Sequence, residues 1–107
     1  MPKFERNAKT WNKIHRKAAK IKSYDDKKKF MRYMKRLYEV IDCEVCRKHT
    51  GKFMRKYPMK EYLVYIDKDG KDRGLFRWTW IFHNKVNRRL NKREYGWREA
   101  VKLYYSD

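Results

Sequence analysis

The chain is poor in the residues that cross-link or punctuate a small protein. Only two of its 107 residues are cysteine, Cys43 and Cys46, so a disulfide scaffold is excluded. Four glycines and two prolines argue against a loop-rich or all-β domain. No run of about 18 apolar residues occurs, which excludes a membrane-spanning helix. The opening stretch MPKFERNAKTW has no apolar region, so no secretory signal is expected. There is no glycine-rich phosphate loop, and a P-loop or Rossmann site is excluded with it. No Ser–His–Asp arrangement, paired-carboxylate site, internal repeat or low-complexity linker stands out. Acids are scarce as well: 13 Asp plus Glu stand against 31 Lys plus Arg, for a net charge of +18.

What is present suffices for a core. Hydrophobic residues make up 41% of the chain and aromatics 17%, a content that disordered chains lack. The length fits a single domain over residues 1–107. The surplus charge predicts attraction to an anion: nucleic acid, an acidic protein, anionic lipid or a phosphorylated cofactor. Charge alone does not choose among these, and a solvated, self-repelling surface is as good a reading.

The apolar pattern is helical nearly throughout. Phe4, Ala8, Trp11, His15 and Ala18 fall on one face of a first helix. Ser23 and the Asp25–Asp26 pair mark a new start, and Phe30, Met34, Leu37 and Ile41 form the stripe of a second helix. Asp42 reads as the N-cap of a third helix beginning at Cys43, with Cys46, His49, Phe53 and Tyr57 on one face and Pro58 as its stop. Tyr62, Val64 and Ile66 alternate like a short strand, followed by the turn DKDGKDRG. Its aspartates lack the spacing of a calcium loop. A fourth helix runs from about Asp72 to Asn91, with Leu75, Thr79, Phe82, Val86 and Leu90 on one stripe and Phe76, His83 and Asn87 beside it. After Gly96 a short last helix carries Trp97, Val101 and Tyr104. The expected fold is all-α, a four-helix bundle with a short fifth helix.

Cys43-Glu-Val-Cys46 at a helix start is a redox constellation, because exposed N–H groups and the helix dipole stabilise a thiolate. Zinc is the competing reading, through Cys43, Cys46, His49 and His83, although three of these share one helical turn. Taken singly, His15, His49 and His83 are as well explained as packing residues, and Trp11, Trp78, Trp80 and Trp97 as core. A nucleotide cofactor would need Lys and Arg to hold its phosphates, and Arg88, Arg89, Lys92 and Arg93 could do so. They also suit the negative end of a helix.

Together these residues resemble the ERV/ALR family of FAD-linked sulfhydryl oxidases. His83-Asn84-Lys85-Val86-Asn87, then Leu90, Lys92 and Tyr95, is similar to the family's H-N-x-V-N-x-x-L-x-K-x-x-[FY] motif at every fixed position. Trp78 stands five residues before it, as in the family. Thr10-Trp11-x-x-x-His15 resembles the first-helix T-W-x-x-x-H, and Cys43-x-x-Cys46 lies between the two blocks. His49 and Trp97 resemble positions found in short viral members. The likeness extends from about Ala8 to Tyr104.

The resemblance implies non-covalently held FAD beside the cysteine pair. Cys46 would be nearer the flavin and Cys43 reached by the substrate dithiol, with oxygen reduced to hydrogen peroxide. Trp11, His15, His49, His83, Asn84 and Asn87 would line the cofactor. Lys92, with Arg88, would neutralise the pyrophosphate, and Trp97 would pack at the adenine. Thr10, Trp78, Val86, Leu90 and Tyr95 complete the implied cofactor-binding set. Asp42 departs from the proline usual before the first cysteine. With no third cysteine for an internal shuttle, electrons are expected from a thioredoxin-like dithiol carrier or from client thiols. Any homodimer would be non-covalent. Short shuttle-free members suggest the cytoplasm of a virus-infected cell or the virion. The competing class is a small basic helical protein that binds nucleic acid or builds a virion, with the cysteines incidental or zinc-bound.

Overall fold

Asn7 sets where the first long helix begins. Its side chain accepts from the backbone N–H groups of Lys9 and Thr10, at 3.0 and 3.2 Å, and so caps α2, Ala8–Ala19. The preceding residues form a separate single turn, α1, Lys3–Arg6. The computed structural model describes residues 3–105, and the side chain of Phe4 lies outside the described residues. The first amphipathic face therefore starts at Ala8, because a capping side chain interrupts the run.

Ser23 caps α3, Tyr24–Val40, by accepting from Asp26 N–H at 3.1 Å, while the Asp26 carboxylate accepts from Lys22 N–H at 2.9 Å. Helix α4 spans Glu44–Lys56. Its N-cap is Cys43 and not Asp42: the Cys43 sulfur accepts from Cys46 N–H at 3.2 Å. Asp42 is left exposed. Pro58 ends the run, and one 3₁₀ turn follows, Met59–Tyr62. Helix α5 spans Gly74–Arg89 and α6 Trp97–Tyr105.

The alternating stretch Tyr62–Ile66 is not a strand, and no strand occurs among the described residues. Val64 and Ile66 are 82% and 57% exposed, so no sheet or core covers an apolar face there. The turn after them closes on itself. Asp67 is buried, and its carboxylate accepts from the N–H groups of Asp69 and Lys71 and pairs with Arg73 at 3.2 Å. Lys27 fastens the segment to α3 through Leu63 O and Asp72.

Helix α2 packs on α3, α5 and α6, and α3 packs on α4. The shared core holds Trp11, Ile14, Phe30, Met34, Phe53, Phe76, Trp78 and Phe82. The fold is thus all-helical, with α2 to α5 as the long members and α6 as the short addition.

Candidate active site

The cysteines sit where α4 begins. Cys43 is half-buried and Cys46 fully buried, and their sulfurs lie 2.6 Å apart, close enough to bond without backbone movement. The Arg47 guanidinium donates to Ile41 O at 2.8 Å and Glu39 O at 3.2 Å, which pins the α3–α4 junction just before the pair. A helix start is expected to favour thiolates, yet the Cys46 thiol is pushed up to about 12. Burial is the main cause, followed by the hydrogen bond to Cys43 and the negative charge of Glu5.

Glu5 is the only acid before Asp25, and it is 2% exposed. Its carboxylate pairs with Arg89, and its Oε1 has no hydrogen-bond partner among the described residues. Its carbonyl accepts from Trp11 Nε1 at 2.9 Å. One turn of α1 thereby places a carboxylate beside the buried cysteine.

A chain of polar contacts runs behind Trp11. The Thr79 hydroxyl donates to Phe76 O at 2.6 Å, so its oxygen is free to accept. His15 Nδ1 lies 2.9 Å from that oxygen and must donate to it. His15 Nε2 is then an acceptor, and His83 Nδ1, 2.8 Å away, is its donor. His83 Nε2 is left without a proton. Burial lowers both histidines, His15 to about 3 and His83 to about 4. Mutual repulsion adds to the effect at His15, and Lys92 adds to it at His83. The Trp11 and His83 rings stack at 4.0 Å with planes 1° apart.

A cavity of about 400 Å³ opens in front of this stack, lined by Trp11, His15, His83, Asn84, Asn87, Tyr95 and Tyr104, with Lys92 and Arg93 among its walls. A second hollow of about 180 Å³ is lined by His49, Phe53, Phe82, Val86, Lys52, Lys85 and Arg89. Glu5 lines the first, Arg89 lines the second, and their ion pair joins the two walls.

The residues singled out in the sequence divide accordingly. Trp11, His15, His83, Asn84, Asn87, Lys92 and Tyr95 share the larger cavity, and His49 and Val86 share the smaller. Thr10, Trp78, Arg88, Leu90 and Trp97 line neither. Trp78 is fully buried, with Nε1 donating to Tyr57 O at 2.7 Å. Arg88 is turned to Glu94 at 3.0 Å on the surface. Trp97 packs on Phe76 and Trp80.

Asn84 has a structural task as well as a cavity position. Its amide bonds both the N–H and the C=O of Tyr95 at 2.8 Å. Asn87 donates to Arg93 O at 3.0 Å. The two amides hold the 90–96 segment that carries Lys92 and Tyr95. Sequence reasoning missed Glu5, Tyr104 and Trp80 as lining residues, and Arg89 as a partner of Glu5 across 84 positions. The one early signal was the isolation of Glu5 in a cationic stretch. Among the described residues no three metal-ligating side chains are gathered, so Cys43, Cys46, His49 and His83 do not form a zinc cluster.

A family model described as the Erv1 / Alr family matches residues 8–105. Among curated proteins, the chain is similar to one named "FAD-linked sulfhydryl oxidase" from a Kenyan pig isolate of African swine fever virus. It is 26% identical over 106 residues, covering 96% of this chain and 77% of the relative. A protein of the same name from a Malawian tick isolate shows the same identity and coverage. One from a Namibian warthog isolate is 26% identical over 99 residues, 90% of this chain and 76% of its own. No solved structure matches the chain.

Proposed function

Because the chain belongs to the Erv1 / Alr family, we propose that it is a FAD-linked thiol oxidase, one domain over residues 1–107, in which Cys43 and Cys46 exchange electrons with a substrate dithiol. The observation that carries this reading is the adjacency of the two sulfurs, 2.6 Å apart, one half-exposed and one sealed. That asymmetry divides the labour: Cys43 meets the partner and Cys46 faces inward.

The larger cavity suits the nucleotide part of FAD. The Trp11–His83 stack offers a flat aromatic wall, and His83 Nε2 is an acceptor. Lys92 is a cation within reach of a diphosphate, whereas Arg93 on the same wall is paired with Glu99 at 2.8 Å. Glu5 lines this cavity and also acts on the Cys46 thiol, which connects the cavity wall to the cysteine pair. FAD, when bound, supplies a two-electron acceptor that oxygen can reoxidise.

The protein's own steps balance without further reagents. A substrate thiolate attacks the Cys43 sulfur of the Cys43–Cys46 disulfide, forming a mixed disulfide and releasing Cys46. Cys46 takes up a proton, since burial favours its neutral form. The second substrate thiol gives up its proton to solvent and attacks the substrate sulfur bound to Cys43. The substrate leaves as a disulfide, Cys43 is released as a thiolate that takes up a proton from solvent, and both cysteines end as thiols. Arg47 keeps Cys43 in place by holding the two carbonyls before it.

The substrate is a carrier dithiol of thioredoxin type or a client protein, and the enzyme works as a non-covalent homodimer. The curated relatives are viral, which supports a role in the infected cell or the virion. No helix among the described residues is long and apolar enough to cross a membrane.

The test is the visible spectrum of the purified protein with oxygen uptake on adding a dithiol. A retained flavin band and dithiol-driven peroxide are expected, and Cys43→Ser and Cys46→Ser should each lose turnover by about 100-fold or more. A colourless protein that cannot be reconstituted with FAD would refute the reading.

A further inference from the structure

The outer face of α2 serves no part of the oxidase site, and it is built of one charge. Lys9, Lys13, Arg16, Lys17 and Lys20 are all exposed, and the helix holds no acid. Residues three and four apart on a helix are neighbours, so Lys9, Lys13 and Lys17 repel along one edge and Arg16 and Lys20 along the next. The row is about 16 Å long at a rise of about 1.5 Å per residue.

This charge is left uncompensated while acids are used elsewhere. Ion pairs involve Lys27, Arg73, Arg88, Arg89 and Arg93. None involves Lys9, Lys13, Arg16 or Lys17 of α2, or its C-cap Lys20, among the described residues. Lys13 and Lys17 instead lie 5.9 and 4.9 Å from the Tyr33 ring of α3. A hollow of about 230 Å³ between the two helices is lined by Lys17, Lys20, Lys29, Phe30 and Tyr33, together with Asp26. That one acid is already engaged by Lys22 N–H. From residue 8 to residue 40 there are twelve Lys plus Arg and three Asp plus Glu, so half of the net +18 sits on under a third of the chain.

We infer that the α2 face, with the adjoining α2–α3 groove, binds the phosphodiester backbone of nucleic acid. A row of flexible cations without an apolar centre suits a repeating anion, since phosphate contacts need charge and reach and no buried anchor. An acidic protein would need such an anchor, and the groove offers only the half-buried Ile21 and Tyr33 above a buried Phe30, with cations around them. A second copy docked symmetrically here would set five cations against the same five. Neither Cys43 nor Cys46 lines the α2–α3 hollow, since both sit at the start of α4. The inference is independent of the oxidase reading. It gives the basic charge a use that the cysteine chemistry leaves open.

The test is fluorescence anisotropy of the full-length protein, as purified, with a mixed-sequence DNA oligonucleotide over a range of salt. Two triple variants carry the same net charge: Lys9→Gln/Lys13→Gln/Lys17→Gln on α2, and Lys60→Gln/Lys68→Gln/Lys71→Gln on exposed positions far along the chain. The parent should bind with a steep salt dependence. The α2 triple should weaken binding by about tenfold or more and reduce the log–log salt slope by about three. The control triple should change binding little, and helical content should be unchanged in both. Equal weakening by the two triples would overturn the inference in favour of net charge alone, and no binding by the parent would overturn it outright. Binding to phosphatidylserine vesicles but not to DNA, lost in the α2 triple, would overturn it in favour of a membrane surface.

Discussion

His15 Nε2 lies 2.8 Å from His83 Nδ1, and Thr79, whose hydroxyl proton is committed to Phe76 O, fixes the direction of that bond. The pair is held neutral, with His15 lowered to about 3 and His83 to about 4.

Stability should therefore fall as the medium is acidified. In the unfolded chain histidine takes up a proton below about pH 6.5, while in the folded chain these two do not until about pH 4 or lower. The unfolded state binds more protons in that window, so the folding free energy declines as pH falls through it. Each histidine contributes up to about 1.4 kcal/mol per pH unit. Urea unfolding at pH 7 and pH 5 should show the decline. His83→Phe, which keeps an aromatic ring on Trp11, should lessen it and leave the shares of His15 and of His49, which burial also lowers. A parent whose midpoint is the same at both values would contradict the assignment.

Cys46 should become more acidic when Glu5 is made neutral. Burial and the Cys43 hydrogen bond raise the thiol most, and the Glu5 charge adds to them. Glu5→Gln keeps the shape and removes the charge. Alkylation of the reduced protein, followed by peptide mass spectrometry against pH, should show Cys46 reacting at lower pH in the variant. Burial should still keep it above an ordinary thiol. An unchanged Cys46 profile would mean that the carboxylate does not act on the sulfur.

The two cations that the resemblance assigns to the pyrophosphate should behave differently. Lys92 lines the cavity, whereas Arg88 is spent on Glu94 at the surface. Lys92→Ala should weaken FAD binding about tenfold, the value of one charge-assisted hydrogen bond of about 1.4 kcal/mol. Arg88→Ala should leave it within about twofold. FAD titration of the cofactor-stripped protein measures both. Equal losses would mean that Arg88 turns from Glu94 to the cofactor.

The parts of this protein legible in sequence are those with local period. Phe30, Met34, Phe53, Phe82 and Val86 were placed on buried stripes by spacing, and they are core. His83 and Asn87, one helical turn apart, do face one cavity. The rest depends on contacts that spacing does not encode. Asn7 starts α2 because its short side-chain oxygen accepts from two N–H groups, and nothing in the apolar pattern marks it. Cys43 displaces Asp42 as the cap because its sulfur is the atom that reaches Cys46 N–H. Alternation suggested a strand at Tyr62–Ile66, but a strand needs a partner, and the helices leave none. Glu5 and Arg89 meet across almost the whole chain, which only packing decides. Asn84 looked like a ligand residue and proves also to be the clamp on Tyr95.

Gly74 is the glycine with the least room for a side chain. It begins α5 directly against the 3₁₀ turn, and a Cβ there would lie 1.7 Å from Tyr62 O and 2.8 Å from Tyr62 C. Both atoms are backbone, so no side-chain rotation relieves the clash. The turn would have to separate from α5, loosening the contacts around buried Leu75 and Trp78. Gly74→Ala should cost about 3 kcal/mol or more, toward the upper end for single substitutions. Gly51→Ala makes the comparison, because its Cβ would meet the Tyr38 hydroxyl at 2.9 Å, the movable end of a side chain. That variant should lose less than about 1.5 kcal/mol. Paired urea unfolding curves decide it: if the two variants lose the same amount, the tight seat of α5 on the Tyr62 backbone is not what holds that end of the bundle together.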